Sequence, residues 1–368
     1  MGEGGKIRYA VVGLGHIAQA AVLPAFAHAA RNSELTALVS DDPTKHKKLS
    51  KKYNVDLTYS YDQYDDCLNS GQVDAVYIAL PNSLHREFTV RAARAGIHVL
   101  CEKPMAVTED ECEEMIHVAA RSKVKLMVAY RLHFERANLE AVEIVQSGKL
   151  GEPKFFSSVF TMQVKEGNIR LKRELGGGTL YDIGIYCINA ARYVFRAEPV
   201  EVFAFSLSSE DKRFKEVDEM TSAVLHFSKD RLAAFTCSFG SADISAYQVV
   251  GTKGDLRVEP AYEYVGELRH RLTVDGRTRE KSFSMRDQFA PELLYFSDCI
   301  KKGLEPEPSG IEGLADVRVI QALYRSAEIG RAVKLDEFRR QQRPGMEQQI
   351  RRPPVKEPEL VHVESASE

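Results

Sequence analysis

Lys103, Asp182 and Tyr186 carry the groups in this sequence best suited to moving a proton and steadying charge at one carbon. An ammonium can polarise a hydroxyl or carbonyl oxygen and hold the negative charge that develops while hydride moves to or from carbon. A phenol beside a cation ionises more readily, because the nearby charge favours phenolate. Tyr186 is thereby suited to give and take the proton of a substrate hydroxyl, with Asp182 binding another hydroxyl. The two are four residues apart, so on a helix they share one face. Plainer readings stand beside these. Lys103 also reads as an exposed lysine after an edge turn, Tyr186 as a core residue, and Thr179-x-x-Asp182 as a helix capping box.

The elements that must position these groups follow from the pattern around them. Glu102-Lys103-Pro104 ends an apolar strand, His98–Cys101, and Pro104 constrains the turn, with a cis bond as one means of doing so. Gly176-Gly177-Gly178 precedes a helix expected over Thr179–Phe195, and three glycines let backbone pass close to a ligand. Gly13-Leu14-Gly15-His16-Ile17-Ala18 follows the strand Ile7–Val12 and opens a helix, the G-x-G-x-x-A form of the dinucleotide fingerprint. Gly13 permits the tight turn, Gly15 lets backbone approach a diphosphate, and Ala18 allows close packing. The helix N-terminus beyond, with His16 and Ile17, offers unpaired N–H groups to the anion. Ser40 and Asp41 end the second strand, where a carboxylate can accept hydrogen bonds from adenosine ribose hydroxyls and repel a 2′-phosphate. Lys45, Lys47 and Lys48 close behind could instead neutralise that phosphate. NAD is thus favoured slightly over NADP, while Asp42 also reads as the cap of the helix starting at Pro43. Leu80-Pro81-Asn82-Ser83-Leu84-His85 leaves another strand at the edge where ligands of open parallel sheets bind, and reads equally as a proline turn with a helix cap.

At 368 residues the chain is long enough for two domains. From Ile7 to about Ala129 short apolar runs alternate with amphipathic segments, the pattern of a doubly wound parallel sheet. After Gly148–Pro153 the texture changes to sheet-forming segments, with helices at Thr179–Phe195, Pro291–Lys302 and Leu314–Ile329. The expected fold is α/β, an N-terminal Rossmann domain over 1–130 followed over 131–338 by an α+β domain with a large open, mainly antiparallel sheet. From Arg339 onward there is no aromatic residue, and such a stretch buries too little apolar surface to offset its ordering entropy, so 339–368 is expected as a flexible tail. Fifty Lys+Arg against 53 Asp+Glu leave no basic excess for nucleic acid. No uncharged apolar run approaches the ~20 residues of a membrane helix. Six scattered cysteines suit free thiols in a reducing compartment, without a metal site. The N-terminus lacks the apolar stretch of a secretory signal, and a cytoplasmic location is expected.

Taken together, G-x-G-x-x-A, Glu102-Lys103-Pro104 and Gly176–Tyr186 resemble, in their order, the glucose–fructose oxidoreductase, inositol dehydrogenase and rhizopine-catabolism (Gfo/Idh/MocA) family. The likeness runs from Ile7 to about Leu335. Arg173-Glu174-Leu175, Asp182-Ile183-Gly184-Ile185-Tyr186, Leu80–His85 and Tyr130-Arg131 are similar to the glucose–fructose oxidoreductase branch in particular. The resemblance implies a Lys103–Tyr186 pair next to a nicotinamide, with Asp182 and Arg131 near the substrate. It also implies a homodimer or homotetramer built through the open C-terminal sheet. The expected activity is NAD(P)-dependent hydride transfer at a hydroxyl or carbonyl carbon of a monosaccharide, polyol or ketosugar. Lys103, Tyr186 and Asp182 would be catalytic. The cofactor would be held by Gly13, Gly15, His16, Ile17, Ser40, Asp41, Lys45, Leu80, Pro81, Asn82, His85, Glu102, Lys103 and Arg131. The export signal and N-terminal arm of glucose–fructose oxidoreductase have no counterpart expected in this sequence, which favours a dissociating cofactor over sugar–sugar dismutation. Two rival readings are a glycoside hydrolase working through transient oxidation by NAD and a non-catalytic dinucleotide sensor. A binding module needs no proton relay, so Glu102-Lys103-Pro104 and Tyr186 weigh against the sensor.

Overall fold

A computed structural model describes residues 5–228, 230–338, 343–363 and 365–366. They fall into two compact units, the first taking residues up to Arg131, Arg286–Leu314 and Ile350–Ser365, the second Leu132–Met285, Ala315–Gln349 and Ala366.

The first unit is built on six strands: β1 Ile7–Val12, β2 Ser33–Val39, β3 Leu57–Tyr59, β4 Ala75–Ile78, β5 His98–Glu102 and β6 Leu126–Ala129. They pair in the order β3-β2-β1-β4-β5-β6, every pair parallel. Tyr9, Val11, Ala10 and Val12 are all buried, so β1 is covered on both faces, as a parallel sheet flanked by helices requires. The strand order reverses between β1 and β4, and a ligand crevice opens at the carboxyl ends beside such a reversal. Helices α1 Leu23–Ala29, α2 Pro43–Tyr53, α3 Tyr64–Asn69, α4 His85–Arg94 and α5 Glu109–Arg121 connect the strands. Their starts are set locally: Asp42 accepts from the backbone N–H of Thr44 and Lys45 ahead of Pro43, and Thr108 with Glu111 forms a capping box. The short β3 and α3 carry no clear periodicity and were not expected from the sequence.

The second unit holds nine strands: β7 Pro153–Gln163, β8 Pro199–Leu207, β9 Met220–Phe227, β10 Arg231–Ser238, β11 Gly240–Gly251, β12 Gly254–Val258, β13 Leu268–Val274, β14 Arg277–Phe283 and β15 Val333–Lys334. Their order is β14-β13-β12-β11-β7-β10-β9-β8-β15, antiparallel except where β10 runs parallel to β7. Helices α6 Arg136–Gln146 and α7 Ile185–Phe195 belong to this unit, α7 being buried along most of its length. The opposite face of the sheet stays open. Phe205 and Leu207 are 60% exposed, and Phe155, Val224 and Leu232 continue the apolar surface across β7, β9 and β10.

The division of the chain differs from the expected one in two respects. Residues 286–314, including the helix Ala290–Lys302, return to the first unit. The described part of the expected flexible tail is also fastened to that unit from 350 on: Arg352 Nε donates to His28 O (3.0 Å), Asp287 N to Pro353 O (3.3 Å) and Val361 N to Gln19 Oε1 (2.8 Å). Composition misses this docking because its anchors are a few main-chain hydrogen bonds and the buried side chain of Val361, not an apolar run. Residues 339–342, 364, 367 and 368 of that stretch lie outside the described residues.

Candidate active site

In the first unit the turn after β1 is shaped by Gly13. Its φ of +90° suits glycine, and a Cβ there would lie 2.5 Å from Ala79 O. Gly15 faces open space instead, with nothing within 4 Å of where a Cβ would be. The helix begins at His16, and Ala18 is fully buried against the sheet. Backbone clearance at Gly15, next to a helix start and at the strand reversal, fits the diphosphate of a dinucleotide.

At the end of β2, Ser40 is buried and its Oγ accepts from Asp42 N (3.2 Å). Asp41 Oδ1 accepts from Tyr61 N (2.7 Å). Asp42 is the helix cap, and Lys45 lies in the first turn it caps. Although partial burial opposes it, hydrogen bonds from Lys45 N, His362 and Thr44 N hold the Asp42 carboxyl below its ordinary range. The helix-cap reading is realised by Asp42, while the Asp41 carboxylate accepts a backbone N–H.

The Leu80–His85 turn forms a short helical step over Asn82–Leu84 after Pro81. His85, expected to bind the cofactor, is fully buried behind that turn. Its Nδ1 lies 2.8 Å from Pro104 O and its Nε2 2.9 Å from Leu80 O. Burial, against the pull of the two carbonyls, keeps its pKa below the ordinary value, aided by the charge on Lys103. A neutral ring donates to one carbonyl at a time. His85 thus ties the Leu80 turn to the Lys103-Pro104 turn, acting on any cofactor only through the two loops it braces.

Glu102, also expected at the cofactor, is committed to its own loop. Tyr77 Oη donates to its Oε1 (2.7 Å), and Oε2 accepts the Lys103 backbone N–H (3.3 Å). Burial raises its pKa, opposed by Tyr77 and by the charges on Lys103 and Arg131. Glu292, from the first turn of Ala290–Lys302, is 0% exposed, and burial with the Glu102 charge pushes its carboxyl well above the usual range. Arg131 is buried too and donates to Gln288 Oε1. Its charge opposes the upward shift of both carboxyl groups, and the side chain is not open to a ligand. Tyr77, Gln288 and Glu292 were not singled out in the sequence. They sit on β4 and near a distant helix start, and no spacing links them to Lys103. The Lys103–Pro104 peptide is cis.

In the second unit, Leu180–Gly184 forms a π-helical turn that leads into α7. Thr179 does not cap it. Its Oγ1 lies 3.2 Å from Thr221 Oγ1, and no capping box forms. Asp182 Oδ2 instead accepts from Arg170 Nε at 2.5 Å. Tyr186 Oη belongs to the same electrostatic group, since Arg170 interacts with Asp182, Tyr186 and Tyr264. Burial alone would weaken the Arg170 charge, but Asp182 more than offsets this and its pKa is raised. The Tyr186 ring meets Phe160 edge-on at 5.5 Å and Tyr262 at 5.8 Å, which fixes its plane. The glycines before this turn serve the same arrangement. A Cβ on Gly177 would lie 2.4 Å from Arg170 O, so close approach to residues 170–172 accounts for it rather than a ligand. Arg170 was missed because its partner is twelve residues away across irregular chain. The one local sign was Asn168, whose side chain accepts from Arg170 N (3.1 Å).

Comparison with known proteins extends these observations. Residues 7–130 match the family described as "Oxidoreductase family, NAD-binding Rossmann fold" (GFO_IDH_MocA), and residues 138–257 match the "GFO/IDH/MocA C-terminal domain". The chain is 34% identical over 338 residues to a D-xylose 1-dehydrogenase [NADP(+)] of Haloarcula marismortui, covering 90% of this chain and 93% of that protein. Among solved structures it is similar to an aldose–aldose oxidoreductase from Caulobacter crescentus complexed with glycerol. The TM-score is 0.86 at 40% identity, with 90% of this chain and all of that one covered. A 3-ketoreductase from Actinomadura kijaniata, in complex with NADP and TDP-benzene, matches with a TM-score of 0.80 at 27% identity, over 87% of this chain and 98% of that one.

Proposed function

The chain belongs to the Gfo/Idh/MocA oxidoreductase family, and from that premise we propose that it is an NAD(P)-dependent oxidoreductase acting at a hydroxyl or carbonyl carbon of a monosaccharide or close relative. The observation that carries this reading is the open approach at Gly15, at the same sheet edge where β5 delivers Lys103. When bound, the nicotinamide accepts hydride from the sugar carbon or returns it. Gly13, Gly15 and the helix start at His16 hold the dinucleotide, with Asp41 and Lys45 at its adenosine end and Leu80-Pro81-Asn82 lining the edge. Lys103 polarises the reacting oxygen. Tyr186 Oη takes the hydroxyl proton as the carbon is oxidised and returns it on reduction. Asp182, oriented by Arg170, binds a second hydroxyl. Glu102, Arg131 and His85 position the Lys103 turn.

The aldose–aldose oxidoreductase and the NADP(+) xylose dehydrogenase support a sugar as substrate. A steady-state screen of aldoses, polyols and ketosugars with both nicotinamides, read by reduced-nicotinamide absorbance, tests the assignment. Lys103→Ala should lower turnover by roughly 10²–10⁴-fold while leaving dinucleotide affinity nearly intact. A variant that keeps most of its rate overturns this role.

The open apolar face of the second sheet supports a homo-oligomer built on Phe155, Phe205, Leu207, Val224 and Leu232. Leu232→Glu should shift the mass measured by light scattering toward the monomer. An unchanged mass removes this face from the interface. No helix among the described residues is long and apolar enough to cross a membrane, and all six cysteines are buried free thiols, which suits the cytoplasm.

A further inference from the structure

Two adjacent residues near the chain's end reach both turns of the first unit that a dinucleotide would use. Val361 pairs its main chain with the Gln19 side-chain amide. Its N–H donates to Gln19 Oε1 at 2.8 Å, and its carbonyl accepts from Gln19 Nε2 at 2.9 Å. The same Nε2 donates to Leu14 O (2.9 Å), between Gly13 and Gly15. Gln19 is 1% exposed, so these bonds form away from water, where losing a partner costs most. His362, the next residue, places Nδ1 3.1 Å from Asp42 Oδ2 at the end of β2. Its backbone is left-handed (φ +49°), a conformation uncommon for a non-glycine residue. Lys52 Nζ, at the far end of α2, donates to Glu359 O (3.0 Å).

We propose that this C-terminal arm is part of the cofactor site: Val361 locks the turn that receives the diphosphate, and His362, through its contact with Asp42, keeps that carboxylate turned from the adenosine end so that the 2′-phosphate of NADP(H) is accepted there. The inference rests on the dinucleotide reading of the Gly13–Ala18 turn. Two aspartates follow β2, and a bare carboxylate there repels a 2′-phosphate. Asp41 is turned to Tyr61 N, and Asp42 is shared between the α2 N-terminus and His362. With both acids held in these contacts, Lys45, Lys47 and Lys48 on α2 supply cations for the phosphate. Proline-rich composition hid this segment because its function lies in a few main-chain contacts and one side chain.

The clip and the Asp42 contact separate experimentally. In the full-length chain, NADPH and NADH binding is followed by the fluorescence of the reduced dinucleotide itself, with equilibrium titration and stopped-flow dissociation. Val361→Pro removes the N–H donated to Gln19 and should speed release of both dinucleotides roughly tenfold. His362→Ala should weaken NADPH roughly tenfold and leave NADH within twofold, because the freed Asp42 carboxylate repels only the ligand that carries the phosphate. In an Asp42→Asn background, where asparagine still caps α2, the His362→Ala effect on NADPH should vanish. Unchanged release from Val361→Pro, or equal effects of His362→Ala on both dinucleotides, overturns the proposal. A wild-type chain that binds neither dinucleotide overturns the cofactor reading on which it rests, and the two failures are thereby told apart.

Discussion

Around the Lys103 turn the first unit places two carboxyl groups, Glu102 and Glu292, that burial drives toward the neutral form, whereas around Tyr186 the second unit places an ionised pair, Arg170 and Asp182. The difference suits the role proposed for the group in each region. An ammonium that must steady developing negative charge loses strength beside a full carboxylate, and neighbours that lean toward neutrality leave its field available. Beside Tyr186, in the role proposed for it, the Arg170 cation is already balanced by a carboxylate. Asp182 supplies that balance to Arg170 at 2.5 Å. On the proposed roles, Lys103 and Tyr186 thus sit among carboxyl groups of opposite protonation habit.

The largest effect that tests this contrast comes from Tyr186→Phe. It keeps the ring contacts with Phe160 and Tyr262 and removes only the oxygen. Turnover should fall roughly 10²–10⁴-fold with dinucleotide affinity unchanged. A rate near wild type would mean that the second unit supplies no proton relay, and the comparison would lose its functional half.

Asp182→Ala comes next. It leaves the Arg170 guanidinium without its carboxylate while both side chains are partly shielded, at 31% and 17% exposure. The expected loss of stability is about 1–3 kcal/mol, between an exposed pair and a fully buried one, read from the urea midpoint. Asp182→Asn keeps an acceptor for Arg170 Nε and should recover part of that loss, while KM for the sugar stays raised in both. Equal stability of wild type and Asp182→Ala would show that the pair is not a structural balance.

The contrast between the regions also explains what the sequence could disclose. The parallel sheet was legible because β1, β4, β5 and β6 are buried on both faces, and their apolar runs are bounded by the turns that carry Gly13, Pro81 and Pro104. Lys103 was placed correctly at a strand end for the same reason. By contrast β14, Arg277–Phe283, is exposed at all but its last residue, so its alternation shows no apolar face. The π-helical turn at Leu180–Gly184 looked like plain α-helix, since side-chain pattern does not register one extra residue in a turn. Side-chain clusters were the least legible. Glu292 is 190 residues from Glu102 in sequence and Arg170 is twelve from Asp182, and only tertiary structure brings such pairs together.

The smallest effect, and the sharpest for the first region, is the pH dependence of Glu292→Gln. In an unfolded chain Glu292 would release its proton near the ordinary value of 4.5, whereas in the folded protein burial and the Glu102 charge hold that proton to a much higher pH. Between those two values the folded state binds more protons than the unfolded state. Stability therefore falls as pH rises through this window, by at most about 1.4 kcal/mol per pH unit. The contribution is complete below the unfolded value and gone above the folded one. Glutamine has no proton to lose, so the variant's stability should fall less steeply from about pH 5 upward and exceed wild type at the alkaline end. Some slope should persist, because Glu102 is shifted in the same direction. Urea midpoints measured at steps across that range give the two curves. Parallel curves would mean that Glu292 is ionised in the folded protein. The Lys103 turn would then be surrounded by carboxylate charge much as Arg170 is, and the contrast between the two regions would disappear.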